Sequence, residues 1–190
     1  MSKSDAEKTA KRIHERTDDM ARSGILTKIM SIIPGYHGYK NKEVRREDDA
    51  ALRKYMTKEI VHVKQMLDRL YQMVIDYNIT QTWETMDKIV NKVERIRARV
   101  EHADYGYGGF FSAQKIKEKE LDRMYEFDAA MLDKINEIKS FVEEFQLEMD
   151  KGNFDKAWEY VYRTLRLLDE FDRTWDGRKD YMLKYTESVE

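Results

Sequence analysis

One pair of residues in this chain has the spacing of a known metal-binding motif. Glu59 and His62 form a Glu-x-x-His sequence, which places both side chains on one face of a helix. Di-iron carboxylate bundles use two such motifs and two further glutamates, whereas this sequence contains one. Glu59, His62 and Asp128 are therefore weak candidates for a single-metal site in a metal-dependent enzyme. A charged helix flank is the simpler interpretation, and no metal or other cofactor is predicted.

Two segments rich in glycine and tyrosine interrupt an otherwise helical sequence. They are Pro34-Gly35-Tyr36-His37-Gly38-Tyr39-Lys40 and Ala103-Asp104-Tyr105-Gly106-Tyr107-Gly108-Gly109-Phe110-Phe111. Tyrosine buries apolar area while keeping a polar tip, and it accompanies arginine in recognition surfaces. The two segments are therefore a candidate binding surface. The alternative is a structural plug, in which the aromatic rings close the open end of a bundle.

We predict that an unknown protein partner binds at these segments, and that the protein is a non-enzymatic interaction or adaptor protein. The candidate partner-binding residues are Tyr36, Tyr39, Lys40, Arg45, Arg46, Asp104, Tyr105 and Tyr107. No catalytic residue is predicted, because no nucleophile lies in a recognisable arrangement with a base. The glycine spacing matches neither a P-loop nor a dinucleotide-binding fingerprint.

A basic helix face supports an alternative function. Its residues are Lys88, Lys92, Arg95, Arg97 and Arg99. Together with Lys40, Lys42, Arg45 and Arg46 it could form a patch near the aromatic segments, and basic side chains interleaved with tyrosines suit a surface for single-stranded nucleic acid or ribosomal RNA. Acidic residues interrupt the stretch around Arg45 and Arg46, and charged helix faces are usually solvated; the interrupting residues are Glu43, Glu47, Asp48 and Asp49. A nucleic-acid or ribosome-associated factor is thus the second hypothesis for function.

Composition limits the remaining classes. The 190 residues carry a net charge of −2, which gives no overall attraction to nucleic acid or anionic lipid. The absence of cysteine excludes disulfides, thiolate zinc sites and a cysteine nucleophile. No apolar run is long enough for a transmembrane helix, and the charged N-terminus lacks an apolar signal core. These features favour a cytoplasmic protein.

Apolar periodicity predicts helices throughout the chain. A first helix over residues 24–33 ends at Pro34, and longer ones follow over residues 43–77, up to 101, and from 112 to 149. Beyond Gly152 and Asn153, which are candidates for a left-handed helix cap, Asp155 begins a fifth helix. Its predicted inward residues are Trp158, Val161, Leu165, Leu168 and Phe171. A short sixth helix is expected near residues 181–185.

Asp128 is the one polar residue on the apolar seam of the fourth helix. A carboxylate at a seam position is costly unless it is paired. We expect an arginine or tyrosine near the Gly/Tyr segments to pair with it, such as Arg53 or Tyr55. It could serve as a buried base or ligand anchor, but a register-fixing ion pair or hydrogen bond is favoured.

These elements predict an all-α protein. Its core is an antiparallel, coiled-coil-like three-helix bundle over residues 43–149, with an N-terminal arm over residues 1–42 and a helical extension over residues 150–190. Short links between helices imply antiparallel neighbours, so both Gly/Tyr segments should lie at the same end. A seam this regular could also serve self-association.

The motifs around both segments resemble those of a family of uncharacterised prokaryotic helical proteins. The first runs from Ile33 through Lys40 to Arg45-Arg46-Glu47, and the second is the segment from Ala103 to Phe111. The resemblance covers roughly residues 30–145 and includes Glu120-Leu121-Asp122-Arg123. It implies no activity, substrate or catalytic residue.

Overall fold

The computed structural model describes residues 22–39, 42–103, 110 and 116–189, and these residues form helices without any strand. Residues 22–32 form α1. The longer helices are α2 (Lys42–Asp76), α3 (Trp83–Glu101), α4 (Glu118–Asp150) and α5 (Ala157–Val189). Two short 3-10 helices, Thr80–Thr82 and Phe154–Lys156, precede α3 and α5. The all-α prediction is confirmed.

Apolar residues in steps of three and four explain why each helix packs. In α3 the buried set is Thr85, Met86, Ile89, Val93, Ile96 and Val100. This spacing lines one face of a helix, and that face joins a core shared with the other long helices. The first helix ends at Ile32, one residue before the predicted end at residue 33, because proline cannot continue a hydrogen-bonded helix and disfavours helical backbone in the residue that precedes it.

The four long helices form two hairpins with the same kind of turn. After α2, Asn78 has a positive φ of 55°, and the amides of Asn78 and Ile79 donate to the carbonyls of Ile75 and Val74. After α4, Gly152 has φ of 79°, and its amide and that of the next residue repeat this pattern on the last turn of α4. Both are Schellman caps followed by a 3-10 helix. The predicted cap at Gly152 is confirmed.

The two hairpins pack into a four-helix bundle. Helix α2 packs against α3 and α4, and α5 packs against the same two helices. Helices α3 and α4 therefore lie at opposite corners, so residues 102–117 connect them across one end of the bundle. We call this end the Gly/Tyr end. The opposite end, where α2 turns into α3 and α4 into α5, is called the turn end.

The C-terminal helix belongs to the core, which corrects the predicted extension after residue 150. Its buried residues include Val161, Leu168, Phe171, Trp175 and Met182, and they join the same apolar cluster as the other helices. The bundle core therefore has four long helices rather than three. In the part of the chain that the structure describes, no helix is long and apolar enough to cross a membrane.

Candidate functional site

A network of buried polar side chains occupies the Gly/Tyr end. Its centre is the Asp128 carboxylate on α4, which has no exposed surface. One oxygen accepts hydrogen bonds from the hydroxyls of Tyr39 at 2.7 Å and Tyr36 at 3.0 Å. The other oxygen accepts a hydrogen bond from Nε of Arg178 on α5, also fully buried, at 2.8 Å. The ion pair thus links α4, α5 and the first Gly/Tyr segment.

A second carboxylate extends this network onto α2. Arg178 Nη2 donates to Asp49 Oδ1 at 2.8 Å and to the Tyr39 hydroxyl at 3.0 Å. The other oxygen of Asp49 accepts from Nε of Arg53 at 2.8 Å, and Arg53 also donates to the carbonyl of Glu101 at the end of α3. All four long helices are therefore joined by hydrogen bonds at this end.

The expectation for the partners of Asp128 is confirmed in general, but the two named candidates are wrong. Tyrosines of the first Gly/Tyr segment do bind it, as the general expectation required. The named candidates do not: Arg53 binds Asp49, and Tyr55 makes no hydrogen bond to Asp128 among the described contacts. The cation is Arg178, which lies beyond the residues taken as the core.

Residues 36–39 of the first Gly/Tyr segment are fixed through the backbone as well as through its tyrosines. Asp48 accepts hydrogen bonds from the amides of His37 at 2.6 Å and Tyr39 at 2.7 Å, while the Tyr125 hydroxyl donates to the Gly38 carbonyl at 2.6 Å. Gly38 has φ of 83° and Tyr39 has φ of 42°. A non-glycine residue with positive φ is strained, so these contacts hold Tyr39 in an unfavourable conformation.

Burial sets the proton affinities of this network. Burial raises the pKa of Asp128, and the Arg178 guanidinium and the Tyr39 hydroxyl oppose that rise by stabilising the carboxylate. Burial also raises the pKa of Tyr36 and Tyr39 far above the ordinary value, with the nearby Asp128 charge acting in the same direction. Both phenols therefore stay protonated as donors, and the network holds its charges in one fixed arrangement.

The network has the properties of a structural element that holds the helices together. Both oxygens of Asp128 are occupied by donors from the protein, and no exposed surface leads to them. A general base or ligand anchor needs a free lone pair that faces a substrate. The arrangement matches the favoured expectation, in which the carboxylate fixes the register of the helices through an ion pair.

The predicted partner-binding residues fall into three groups. Tyr36, Tyr39 and Arg45 are buried, so the prediction that they contact a partner directly is wrong, because they have almost no surface to offer. Arg46 is exposed on α2. The remaining candidates lie outside the described residues: Lys40, Asp104, Tyr105 and Tyr107.

Of the predicted aromatic plug, Phe110 is described and Phe111 is not. Phe110 is fully buried, and its ring packs edge to face against Tyr185 with centroids 5.2 Å apart. This position near the end of α5 agrees with a plug that closes the bundle at the Gly/Tyr end.

The three metal-ligand candidates do not come together as a site. Asp128 is bound by Arg178 and two tyrosines, while Glu59 accepts a hydrogen bond from Lys139 at 2.9 Å. His62 is exposed on the surface of α2. Across residues 22–39, 42–103, 110 and 116–189, no group of three or more histidine, aspartate or glutamate side chains is arranged to hold a metal ion.

The basic face of α3 is neutralised by carboxylates. Lys92 pairs with Asp169 of α5, and Arg99 pairs with Asp172 and Asp176 of the same helix. The other members also have acidic partners: Arg95 with Asp172, Lys88 with Glu84, and Arg97 with Glu94 and Glu101. This face forms a charged seam between α3 and α5, so it offers a nucleic acid few uncompensated cations.

Large apolar side chains are exposed mainly at the turn end. Among the described residues, those exposed there are Ile75, Tyr77, Trp83, Leu147, Trp158 and Tyr162, while only Met30 and Leu183 are exposed elsewhere. We call the four aromatic residues of this set the aromatic patch: Tyr77, Trp83, Trp158 and Tyr162. Three of them are more than half exposed, at 55% for Tyr77, 51% for Trp158 and 55% for Tyr162. The inward position predicted for Trp158 is therefore wrong.

Local packing holds the aromatic patch in place although its rings face solvent. Tyr77 stacks on Phe154 with ring centroids 4.1 Å apart, which joins the two turns. The Trp83 indole donates to the Val74 carbonyl at 3.3 Å. Trp158 and Tyr162 meet edge to face one helical turn apart, with centroids separated by 6.2 Å. The patch is thus a preorganised apolar surface.

The predictions from sequence did not include two features that carried usable signals. Arg178 follows Phe171 and Trp175 at helical spacing and precedes Met182, so it is a charged residue on an apolar stripe, as Asp128 is. The aromatic patch was hidden because Trp158 and Tyr77 also continue apolar stripes. Both stripes run past the end of the bundle core, where the neighbouring long helices no longer cover their last members.

No protein-family model matches this chain, and no curated protein or solved structure matches it.

Proposed function

We propose that this protein is a non-enzymatic interaction protein whose binding surface is the turn end. The observation that carries the proposal is the aromatic patch of Tyr77, Trp83, Trp158 and Tyr162, which is exposed and held in place. Tyrosine and tryptophan dominate the energetics of protein interfaces, since each buries a large rigid surface at little entropic cost.

The contrast between the two ends of the bundle supports this location. At the Gly/Tyr end, Tyr36 and Tyr39 are committed to Asp128, and their burial leaves them no surface for a partner. At the turn end, the four rings of the aromatic patch face solvent and are not buried in the core. Clustered apolar exposure of this kind marks interaction sites.

The proposal is tested by quantitative affinity capture from cells, comparing the wild-type chain with Trp83→Ser/Trp158→Ser. A matched control is Met30→Ser/Leu183→Ser, which removes the two exposed apolar side chains that lie outside the turn end. We expect a partner that is captured by the wild type and the control and is lost from the turn-end variant. Capture that is equal for all three chains, or no specific capture at all, would refute the proposal.

A further variant, Tyr105→Ala/Tyr107→Ala, tests the location at the other end. These residues belong to the second Gly/Tyr segment and were predicted to bind the partner. Retained capture supports the turn end, whereas loss in this variant alone would move the surface back to the Gly/Tyr end. Circular dichroism of each variant verifies that the helical fold is preserved.

A further inference from the structure

The charge around the aromatic patch indicates what kind of partner it fits. Residues 69–88 and 143–163, which form the turn end and the adjoining helical turns, carry nine carboxylates against five basic side chains. The whole chain is nearly neutral, with a net charge of −2. The excess of negative charge is therefore concentrated at the turn end.

Several of these carboxylates are available to a partner. Within the described part of the chain, Asp150, Asp155 and Glu159 are exposed and make no hydrogen bond or ion pair. Asp155 lies three residues before Trp158, and Glu159 lies three residues before Tyr162. Side chains three apart on a helix are surface neighbours, so Glu159 stands beside the Tyr162 ring on α5, and Asp155 lies in the 3-10 helix that leads into the turn of α5 that carries Trp158.

Three of the five cations of the turn end are engaged within the protein. Lys88 pairs with Glu84 at 2.6 Å, and Lys151 pairs with Glu148 at 2.9 Å. The guanidinium of Arg163 lies 4.6 Å from the centroid of the Phe141 ring. Lys156 and Arg163 flank Glu159 along the helix, but neither forms an ion pair with it or with Asp155 in the described part of the chain.

A carboxylate beside an aromatic face is a binding site for a guanidinium. The group stacks on the ring by a cation–π interaction while it donates hydrogen bonds to the carboxylate. This protein contains the complete arrangement elsewhere: Arg123 lies 4.8 Å from the Phe127 ring centroid and donates to Glu126 at 2.6 Å. Trp158 and Tyr162, with Asp155 and Glu159, offer the same groups without the arginine.

Resting on the proposed function, we infer that the turn end binds an arginine-bearing peptide segment of its partner. The aromatic patch supplies ring faces for the guanidinium groups and apolar area for neighbouring side chains. The free carboxylates supply charge complementarity, which favours such a segment over acidic ones. Nucleic acids and anionic lipid surfaces carry the same sign of charge as the turn end and are repelled. Two turn ends facing each other are disfavoured for the same reason.

The inference is tested with synthetic decapeptides of alternating residues: arginine with serine, lysine with serine, and glutamate with serine. Binding is followed by NMR through the indole N–H signals of the full chain, assigned with Trp→Phe variants. The arginine–serine peptide should shift the signals of Trp83 and Trp158 and leave that of Trp175, which is buried near Arg178, unchanged. Its affinity should exceed that of the lysine peptide and fall as salt is added.

A charge-removal variant links the binding to the free carboxylates. Asp155→Asn/Glu159→Gln should weaken binding of the arginine–serine peptide by about two- to fivefold for each charge removed. The matched control, Glu137→Gln/Asp180→Asn, removes two exposed carboxylates outside the turn end with the same change in net charge. This control should bind the peptide as the wild type does.

The outcomes separate this inference from the proposed function. If the glutamate–serine peptide binds better, or if both double variants bind the arginine–serine peptide equally well, the inference of an arginine-bearing partner is overturned. If the arginine–serine peptide does not bind while capture of a cellular partner still depends on Trp83 and Trp158, the turn end is the interaction surface but its partner does not bind through arginine. If the peptide does not bind and capture does not depend on Trp83 and Trp158, both proposals are overturned.

Discussion

Arg178 Nε lies 2.8 Å from Asp128 Oδ1, and neither side chain has any exposed surface. This buried ion pair connects the two helices of the second hairpin, α4 and α5, and the hydroxyls of two tyrosines of the first Gly/Tyr segment also bind the carboxylate. Each partner lies in the protein interior only because the other is present, since an isolated buried charge is far more costly than a paired one.

Asp128→Ala is expected to lower the free energy of unfolding by about 3–5 kcal/mol, because it leaves the Arg178 guanidinium buried without its main counter-charge. Urea denaturation followed by circular dichroism measures the change. The control is Asp133→Ala, which breaks the exposed pair with Lys28 and should cost less than about 1 kcal/mol. The apolar double variant Asp128→Leu/Arg178→Met should be more stable than Asp128→Ala. If it is less stable, the cost of the unpaired charge is not the cause.

Alanine substitutions of three glycines should change the free energy of unfolding by different amounts. Gly38 and Gly35 both have positive φ, at 83° and 81°, so alanine at either position carries about 1–2 kcal/mol of backbone strain. Gly38→Ala should cost more, because a Cβ there would lie 2.6 Å from Cδ1 of Leu26, whereas Gly35 has open space. Gly24→Ala is the helical control and should stabilise by about 0.5–1 kcal/mol. Thermal unfolding ranks the three variants, and equal effects at Gly35 and Gly38 would contradict the steric argument.

The fold should lose stability in alkaline solution. Burial raises the pKa of Tyr125 from 10.0 to about 12, and it raises those of Tyr36 and Tyr39 further. In the unfolded chain these phenols ionise near pH 10, so the unfolded state loses protons that the folded state keeps. The stabilisation that Tyr125 supplies is complete below pH 10 and is lost as the pH rises through 12. Denaturation at a series of pH values measures this slope. Tyr125→Phe should show a shallower slope, and an unchanged slope would contradict the assignment to Tyr125.

A chain that ends at residue 150 should not fold cooperatively. Removing α5 exposes the apolar faces of α3 and α4 and takes Arg178 away from Asp128. Denaturant unfolding should become broad, and NMR signals should lose their dispersion. The full-length variant Trp158→Ser serves as the control, because its side chain is half exposed and its replacement leaves the core intact. A sharp unfolding transition for residues 1–150 would show that the predicted three-helix core folds independently of α5.

The sequence carried enough information to find Asp128 but not its complete environment. A lone carboxylate on the apolar seam had to be paired, and Tyr36 and Tyr39 were near enough in the predicted topology to bind it. Arg178 was not predicted as the partner because residues 150–190 were taken as an extension of the bundle. A short link places α5 beside α4, but it does not show that α5 also packs on α3 as part of the core. Periodicity gives the direction of a side chain around its helix, but which helix it faces is decided by tertiary packing.

The turn end shows a second limit of predictions from helical periodicity. Trp158 continues the apolar stripe of its helix, so the spacing predicted that it was buried, and Tyr77 continues the apolar stripe of α2 in the same way. Their helices reach the end of the bundle at these positions, and no neighbouring helix covers them. The helical period cannot show how far the neighbouring core extends, and residues at the last turn are where this matters most.

The hydrogen bond between Tyr39 and Arg178 spans 139 residues of sequence, and this span has a consequence for biosynthesis. During synthesis from the N-terminus, the first hairpin can form well before Arg178 leaves the ribosome. Until then the Asp128 and Asp49 carboxylates lack their shared cation, and the first Gly/Tyr segment has no complete site in which to dock. The buried network can therefore close only after Arg178 has been synthesised, and a chain truncated before α5 cannot complete it.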